Sequence, residues 1–137
     1  MEQSKDFIER EIQKLTLLIT MLIGKVNGNE PEDFDETLKE VNEELEEQFG
    51  FQLEELEEMD NQKLLMKLNS GNELTIDAFT KLLHQIIFTK DQIRRETTLN
   101  VEKLADKALF LLNYMDKTSS TFSMERMKMK EDLQNQK

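Results

Sequence analysis

Apolar residues recur along the chain three and four positions apart, the spacing that places side chains on one face of an α-helix. The first run predicts a helix that ends at the break Asn27–Asn29. Its apolar seam has steps of 4, 3, 4, 3 and 4 residues and consists of Ile8, Ile12, Leu15, Ile19, Leu22 and Val26. Leu18 and Ile23 widen the seam, whereas Leu17 and Met21 lie off it. We therefore expect several helices to enclose this one, at the centre of the fold.

The next stretch predicts an acidic amphipathic helix from about Pro31 to Phe49. We expect Gly50 to end it, in the left-handed conformation that glycine tolerates, and Phe51 to fold back on Leu45. Acidic residues occupy the face opposite the apolar one, which comprises Phe34, Leu38, Val41, Leu45 and Phe49.

The rest of the chain predicts further helices. Thr75 with Asp77 opens a long helix whose apolar set covers two sides, and Ser123 caps a last, mostly polar helix. The remaining candidates are a short helix or turn over 51–59, a helix capped by Asp60 and a helix that ends near Met115. No run alternates convincingly with a period of two residues. We predict an all-α fold, a compact bundle of about five to seven antiparallel helices around the first helix.

The chain has 137 residues, the size of one domain. We predict a single helical domain over residues 1–137, with a subdivision near residues 70–74 as the alternative. Residues 118–137 are expected to be its most weakly packed part, because Met124, Met127 and Leu133 form a weak apolar stripe. Such a stripe implies that the last helix packs at the edge of the fold, frays, or contacts another subunit.

Both ends of the chain resemble a known family. The segments SKDFIEREIQKL and ALFLLNYMDKTSSTFSMERMKMKEDL are similar to a family of small, uncharacterised bacterial helical proteins that are sometimes described as tetratricopeptide-like. This resemblance implies a compact α-helical fold with no assigned activity. It also implies that Ala105 and Ala108 are small packing residues in one repeat-like hairpin over Thr75–Met115, although no 34-residue period is visible.

Charge is distributed unevenly, which narrows the choice of partners. The formal net charge is −11, and the first 74 residues hold 20 acids against 7 bases. Between Glu30 and Asp60, 15 acids stand against one base, a density that repels nucleic-acid phosphates and anionic lipid headgroups. We therefore expect no nucleic-acid partner and predict that an acidic face binds a basic protein; the alternative is that these acids only keep the protein soluble. The face comprises Glu40, Glu43, Glu44, Glu46, Glu47, Glu54 and Glu55.

The absence of cysteine excludes disulfides, thiolate zinc sites and iron–sulfur clusters, and favours a reducing, cytoplasmic location. The first residues are acidic where a signal peptide would be basic, so we expect no export. The most apolar run, Leu15–Ile23, is much shorter than the roughly 20 residues that cross a bilayer. It predicts a core helix and no membrane insertion.

Motifs for catalysis are missing from the sequence. No glycine-rich phosphate loop or nucleophile elbow occurs, which excludes nucleotide hydrolysis. A phosphotransfer histidine would be followed shortly by lysine, but Ile87 and Phe88 stand three and four positions after His84, so we interpret His84 as a structural or surface residue. One histidine cannot supply the two Glu-x-x-His units of a di-iron site. Acidic and amide residues cluster over 27–35 without the EF-hand alternation. We predict no metal and no cofactor.

These observations favour a noncatalytic interaction or structural module. The alternative is a small-ligand-binding or enzymatic bundle that uses buried carboxylates, for which Asp77 and Asp106 are the nearest candidates. Homodimerisation through the seam of the first helix is a further alternative. A methionine surface on the last helix, with Met124, Met127 and Met129, could also dock a partner.

Overall fold

The computed structural model of the protein describes residues 2–28, 33–68, 72–93, 99–119 and 123–135, and in these ranges it describes the side chains of all residues except 2–8 and 93. The described residues form seven α-helices and no strand, which confirms the predicted all-α bundle. The helices are α1 (Glu2–Asn27), α2 (Phe34–Phe49), α3 (Leu53–Glu58), α4 (Asn61–Lys67), α5 (Glu73–Ile93), α6 (Val101–Thr118) and α7 (Met124–Gln134).

The central place in the bundle belongs to α5 rather than to α1, where we expected it. Helix α5 packs against both α1 and α6. Small side chains such as Ala78 and Thr80 are buried on its flanks, between the larger apolar residues, and let neighbouring helices approach from two sides. Its buried side chains are Thr75, Ile76, Ala78, Phe79, Thr80, Leu82, Leu83, Ile86, Ile87 and Thr89.

Helix α1 lies at one side of α5 and also contacts α2. The C-terminal half of its predicted seam is buried, namely Ile19, Leu22 and Val26, whereas Ile12 and Leu15 are half-buried. The side chain of Ile8 lies outside the described residues. Leu17 and Met21 are exposed, as their position off the seam predicts. One face of α1 is therefore left open to solvent.

The acidic helix α2 buries the five predicted apolar residues, together with Thr37. Gly50 ends it with φ of 79°, the left-handed conformation expected, and its N–H donates to the carbonyls of Leu45 and Glu46. Phe51 is buried beyond this turn and stacks on Phe49, with ring centroids 5.9 Å apart. Phe79 of α5 meets both rings edge-on, at 5.9 and 5.8 Å. This aromatic cluster fixes the end of α2 against α5.

Polar contacts join the short helices α3 and α4 to their neighbours. The Leu53 N–H donates to Asn42 Oδ1 of α2 over 2.9 Å. Lys107 of α6 donates to the carbonyl of Met59 and, over 2.8 Å, to Asn61 Oδ1. Asp60 occupies the predicted cap position of α4, although its side chain makes no capping hydrogen bond. The segment between α2 and α5 is thus held by α6.

The N-cap residues of three helices can be compared with those expected from the sequence. Helix α5 begins at Glu73, and Asn72 Oδ1 accepts a hydrogen bond from the Thr75 N–H, so the cap is Asn72 rather than Thr75. Asn100 caps α6 in the same way, which the sequence analysis did not anticipate. Ser123 caps α7 as predicted, through the Arg126 N–H.

Buried side chains from all seven helices form one hydrophobic cluster. Met129 and Leu133 are the buried apolar residues of α7. The subdivision considered near residues 70–74 falls partly outside the described residues, and the single-domain organisation stays a prediction. Helices α5 and α6, which would form the repeat-like hairpin, do pack against each other.

Candidate functional site

The acidic face predicted from the sequence lies mainly on the outer side of α2. The opposite side of this helix is buried, so helical geometry directs the carboxylates outward. We call the following residues the acidic surface: Glu40, Glu43, Glu44, Glu46 and Glu47. All are exposed except Glu44, which is half-buried. Glu54 and Glu55 are exposed on α3.

Some of these carboxylates have partners inside the fold. Glu40 forms an ion pair with Lys25 of α1 over 3.3 Å. Glu55 accepts a hydrogen bond from the Gln52 N–H over 3.3 Å, within a capping box at the start of α3. Glu55 therefore has a structural role that the sequence analysis did not separate from the rest of the face.

The other four carboxylates of the acidic surface form no ion pair with any described residue. Glu43 and Glu47 are four positions apart, as are Glu40 and Glu44, and like charges at this spacing destabilise a helix by about 0.2–0.5 kcal/mol per pair. Glu46 and Glu47 also lie in the last turn of α2, which contains no basic residue. A helix C-terminus carries partial negative charge and favours cations. Lys67 Nζ lies near this end of α2, 3.3 Å from the position that a Cβ atom at Gly50 would take, and compensates part of this charge. The repulsion among the glutamates of the acidic surface remains, because none of these four forms an ion pair with a described residue.

A second candidate site is an open cleft between α1, α5 and α7, with a volume of about 520 Å³. Ile23 of α1 and Met129 of α7 are its apolar lining residues, and the other seven are polar or charged. The polar lining residues are Thr20, Lys81, His84, Gln85, Glu125, Lys128 and Asp132.

Lys81 forms the ionic centre of the cleft. Its Nζ lies 3.1 Å from Asp77 and 3.2 Å from Glu125, so it links α5 to α7. Partial burial lowers the pKa of Lys81, but the contacts with Asp77 and Glu125 outweigh it and raise the pKa above the usual value. Lys81 therefore stays protonated, and its charge is shared between two carboxylates.

His84 occupies the wall of the cleft next to α7. Its Nε2 donates to Asp132 Oδ2 over 3.1 Å, and its ring stacks on Phe88 with centroids 6.5 Å apart. The carboxylate orients the ring and leaves Nδ1 as the nitrogen that can meet a ligand. Sequence reasoning found His84 but missed Asp132, which lies 48 residues further along the chain.

Hydroxyl nucleophiles are scarce among the described lining residues of this cleft. Thr20 carries the one hydroxyl group among these lining residues, and this hydroxyl donates to the backbone carbonyl of Thr16 over 2.9 Å. The arrangement suits the binding of a small polar ligand by mixed charges, with His84 as the group able to exchange a proton.

The other residues singled out in the sequence are dispersed. Asp77 pairs with Lys81, and Asp106 is exposed on α6. Of the turn cluster, Asn27 accepts a hydrogen bond from Gln85, whereas Asn29 and Glu30 lie outside the described residues. No three carboxylate or imidazole groups of the described part of the chain are grouped as ligands of a metal ion.

The methionine surface predicted on α7 is only partly present. Met124 and Met127 are exposed, but Met129 is buried against the core. None of the helices in the described ranges combines the length and the apolar character required to span a membrane.

Comparison with protein-family models, with curated proteins and with solved structures finds no match for this chain. The resemblance to tetratricopeptide-like helical proteins therefore stays a prediction. Any functional conclusion rests on the geometry of the acidic surface and of the cleft.

Proposed function

We propose that the protein is a noncatalytic helical interaction module whose acidic surface binds a basic protein partner. The observation that carries the proposal is the set of Glu43, Glu44, Glu46 and Glu47, which share one helix and form no ion pair with any described residue. Cationic side chains of a partner would remove the repulsion between them and complement the C-terminus of α2.

The chemistry of the surface selects the class of partner. Nucleic acids and anionic lipid surfaces carry phosphates, which a row of carboxylates repels. Lysine and arginine side chains supply mobile cationic groups that can reach several carboxylates along one helix. A basic protein segment is therefore the partner that fits.

The test is affinity capture with the full chain as bait, compared with a variant that carries Glu43→Gln, Glu44→Gln, Glu46→Gln and Glu47→Gln. A matched control neutralises four exposed acids elsewhere, namely Glu9, Asp91, Glu102 and Glu131. Both variants change the net charge by the same amount. We expect the first variant to lose the captured proteins and the control to keep them.

Salt provides the second readout. Raising the ionic strength from about 0.1 M to about 1 M shortens the Debye length from about 10 Å to about 3 Å, and capture through exposed charges should fall steeply. Equal capture by the glutamine variant and the parent protein, or capture that salt does not change, would show that the acidic surface is not a binding site.

A second candidate function is small-ligand binding or catalysis in the cleft, and the volume of about 520 Å³ together with the oriented His84 favours it. Every described Asp and Glu is at least partly exposed, so the acid or base there would be His84 rather than a buried carboxylate. Thermal-shift screening with polar metabolites should give stabilisation that His84→Ala abolishes. No shift with any compound would argue for the interaction module alone.

A further inference from the structure

One face of α1 carries two exposed apolar side chains and two exposed glycines. Leu17 and Met21 are 66% and 60% exposed, and Gly24 and Gly28 are exposed as well. Steps of four, three and four residues place these positions on one side of the helix. We call Leu17, Met21, Gly24 and Gly28 the α1 stripe. It differs from the predicted seam, whose C-terminal half is buried.

Gly24 is difficult to explain from the single chain. A glycine inside a helix costs about 1 kcal/mol relative to alanine. A Cβ atom at Gly24 would meet no atom within 4 Å, so no described contact within the chain requires glycine there. Glycine on an exposed helix face does allow the backbone of another helix to approach closely.

We propose that the α1 stripe is the contact surface for a second copy of this chain, with the two α1 helices antiparallel about a two-fold axis. In this arrangement Leu17 of each copy faces Gly28 of the other, and Met21 faces Gly24. Each large side chain thus meets a glycine, and the surface is complementary to itself, as a two-fold interface requires.

The charges near the α1 stripe also favour a second copy of the chain in the antiparallel orientation. Arg10 and Lys14 lie on the N-terminal side of this face. Antiparallel pairing brings them toward the C-terminus of the other α1 helix, which carries partial negative charge and whose basic residue in the last turn, Lys25, is already paired with Glu40. Parallel pairing would instead place the basic residues of both copies side by side.

The size of the contact predicts a weak, reversible dimer. The stripe spans 12 residues, or about 18 Å of helix. A contact of this length between two single helices is small beside the roughly 1,200–2,000 Å² that stable specific interfaces bury, so we expect association that depends on concentration. The inference is independent of the proposed function, because the acidic surface lies on α2.

Cysteine cross-linking tests the register directly, since the chain has no cysteine of its own. We expect a mixture of the Met21→Cys and Gly24→Cys variants to form a disulfide-linked heterodimer faster than either variant alone. Met66→Cys is the control, because Met66 is 74% exposed and belongs to α4, a different helix from the stripe. Cross-linking no faster than this control, or fastest for Met21→Cys alone, would overturn the antiparallel pairing.

Sedimentation measurements over a range of concentrations give the second test. Met21→Glu should weaken dimerisation by at least about tenfold, because it would bury a carboxylate at the contact. Gly24→Leu should do the same while helical content is kept, since the single chain has room for the side chain. Met66→Glu should leave dimerisation unchanged. A parent protein that stays monomeric at millimolar concentration would refute the proposal.

Discussion

Arg126 Nε donates a hydrogen bond to Asp116 Oδ1 over 3.0 Å and thereby ties α7 to the end of α6. Lys130 contacts the other carboxylate oxygen of Asp116. The hydrogen bond from Lys130 and the one from Arg126 together outweigh desolvation and hold the pKa of Asp116 below its ordinary value of 3.8. Helix α7 buries two apolar side chains, Met129 and Leu133, and these ionic contacts add to its attachment.

Asp116→Asn should loosen α7 at neutral pH. We expect a loss of about 1 kcal/mol of unfolding free energy, because the partly exposed contacts with Arg126 and Lys130 would lose the negative charge of their acceptor. Hydrogen exchange should show reduced amide protection in α7 and unchanged protection in α5. Asp91→Asn, at an exposed position of α5, is the control. Unchanged protection of α7 would show that Met129 and Leu133 suffice to hold it.

Lowering the pH should weaken the attachment of α7 in the parent protein, as Asp116→Asn does at neutral pH. Because the pKa of Asp116 is lower in the folded than in the unfolded state, its contribution is fully present above about pH 4 and is lost as the pH falls through the folded-state value. The stability difference between the parent protein and Asp116→Asn should therefore shrink below pH 4, as measured by urea unfolding. A difference that is independent of pH would contradict this role.

Leu22 and Leu17 lie on opposite faces of α1 and give a matched pair of core and surface substitutions. Leu22 is 3% exposed, so Leu22→Ala should cost about 2–5 kcal/mol of unfolding free energy. Leu17→Ala should change it by no more than about 0.5 kcal/mol at concentrations where the chain is monomeric. Denaturant unfolding measures both, and equal losses would mean that the orientation of α1 is different.

Thr75 is fully buried, and its hydroxyl has no hydrogen-bond partner among the described residues. A buried hydroxyl without a partner costs about 1–3 kcal/mol, so Thr75→Val should raise the unfolding free energy by about 1 kcal/mol. Thr80 is the control, because its hydroxyl donates to the Ile76 carbonyl over 2.7 Å. Thr80→Val should therefore be neutral or destabilising, and a stability gain equal to that of Thr75→Val would contradict the argument.

Neutralising the last turn of α2 should stabilise the protein. Glu46→Gln and Glu47→Gln each remove a negative charge from the negative end of the helix dipole, which is worth about 0.3–1 kcal/mol per charge at low salt. Glu36→Gln, in the first turn, should have the opposite sign. Thermal unfolding at low and high salt checks both. Stabilisation by all three would point to general charge repulsion instead of the dipole.

Helix α2 shows what could be predicted from sequence. Its buried face, its end at Gly50 and the burial of Phe51 follow from local rules, because side-chain periodicity and the left-handed turn depend on residues close in the chain. Helix α5 was equally predictable as a helix with two buried sides. The central position of α5 in the bundle could not be predicted, because the apolar pattern of α1 is just as regular. Neither pattern indicates which helices surround the one that bears it.

The contacts that shape the cleft could not be predicted. His84 meets Asp132, and Lys107 meets the Met59 carbonyl, in both cases 48 residues away along the chain. Such pairs depend on how helices are placed against one another, and a single exposed acid on α7 carries no local signal of its partner. The acidic surface could be predicted because the high density of acidic residues is visible in the sequence. The ion pair between Glu40 and Lys25 could not be predicted.

The aromatic cluster of Phe49, Phe51 and Phe79 has a consequence for binding at α2. It anchors the C-terminal end of the helix to α5, so the helix that carries the glutamates is already ordered before any partner binds. A disordered acidic tail would lose conformational entropy when it bound, whereas here most of that entropy has already been lost in folding.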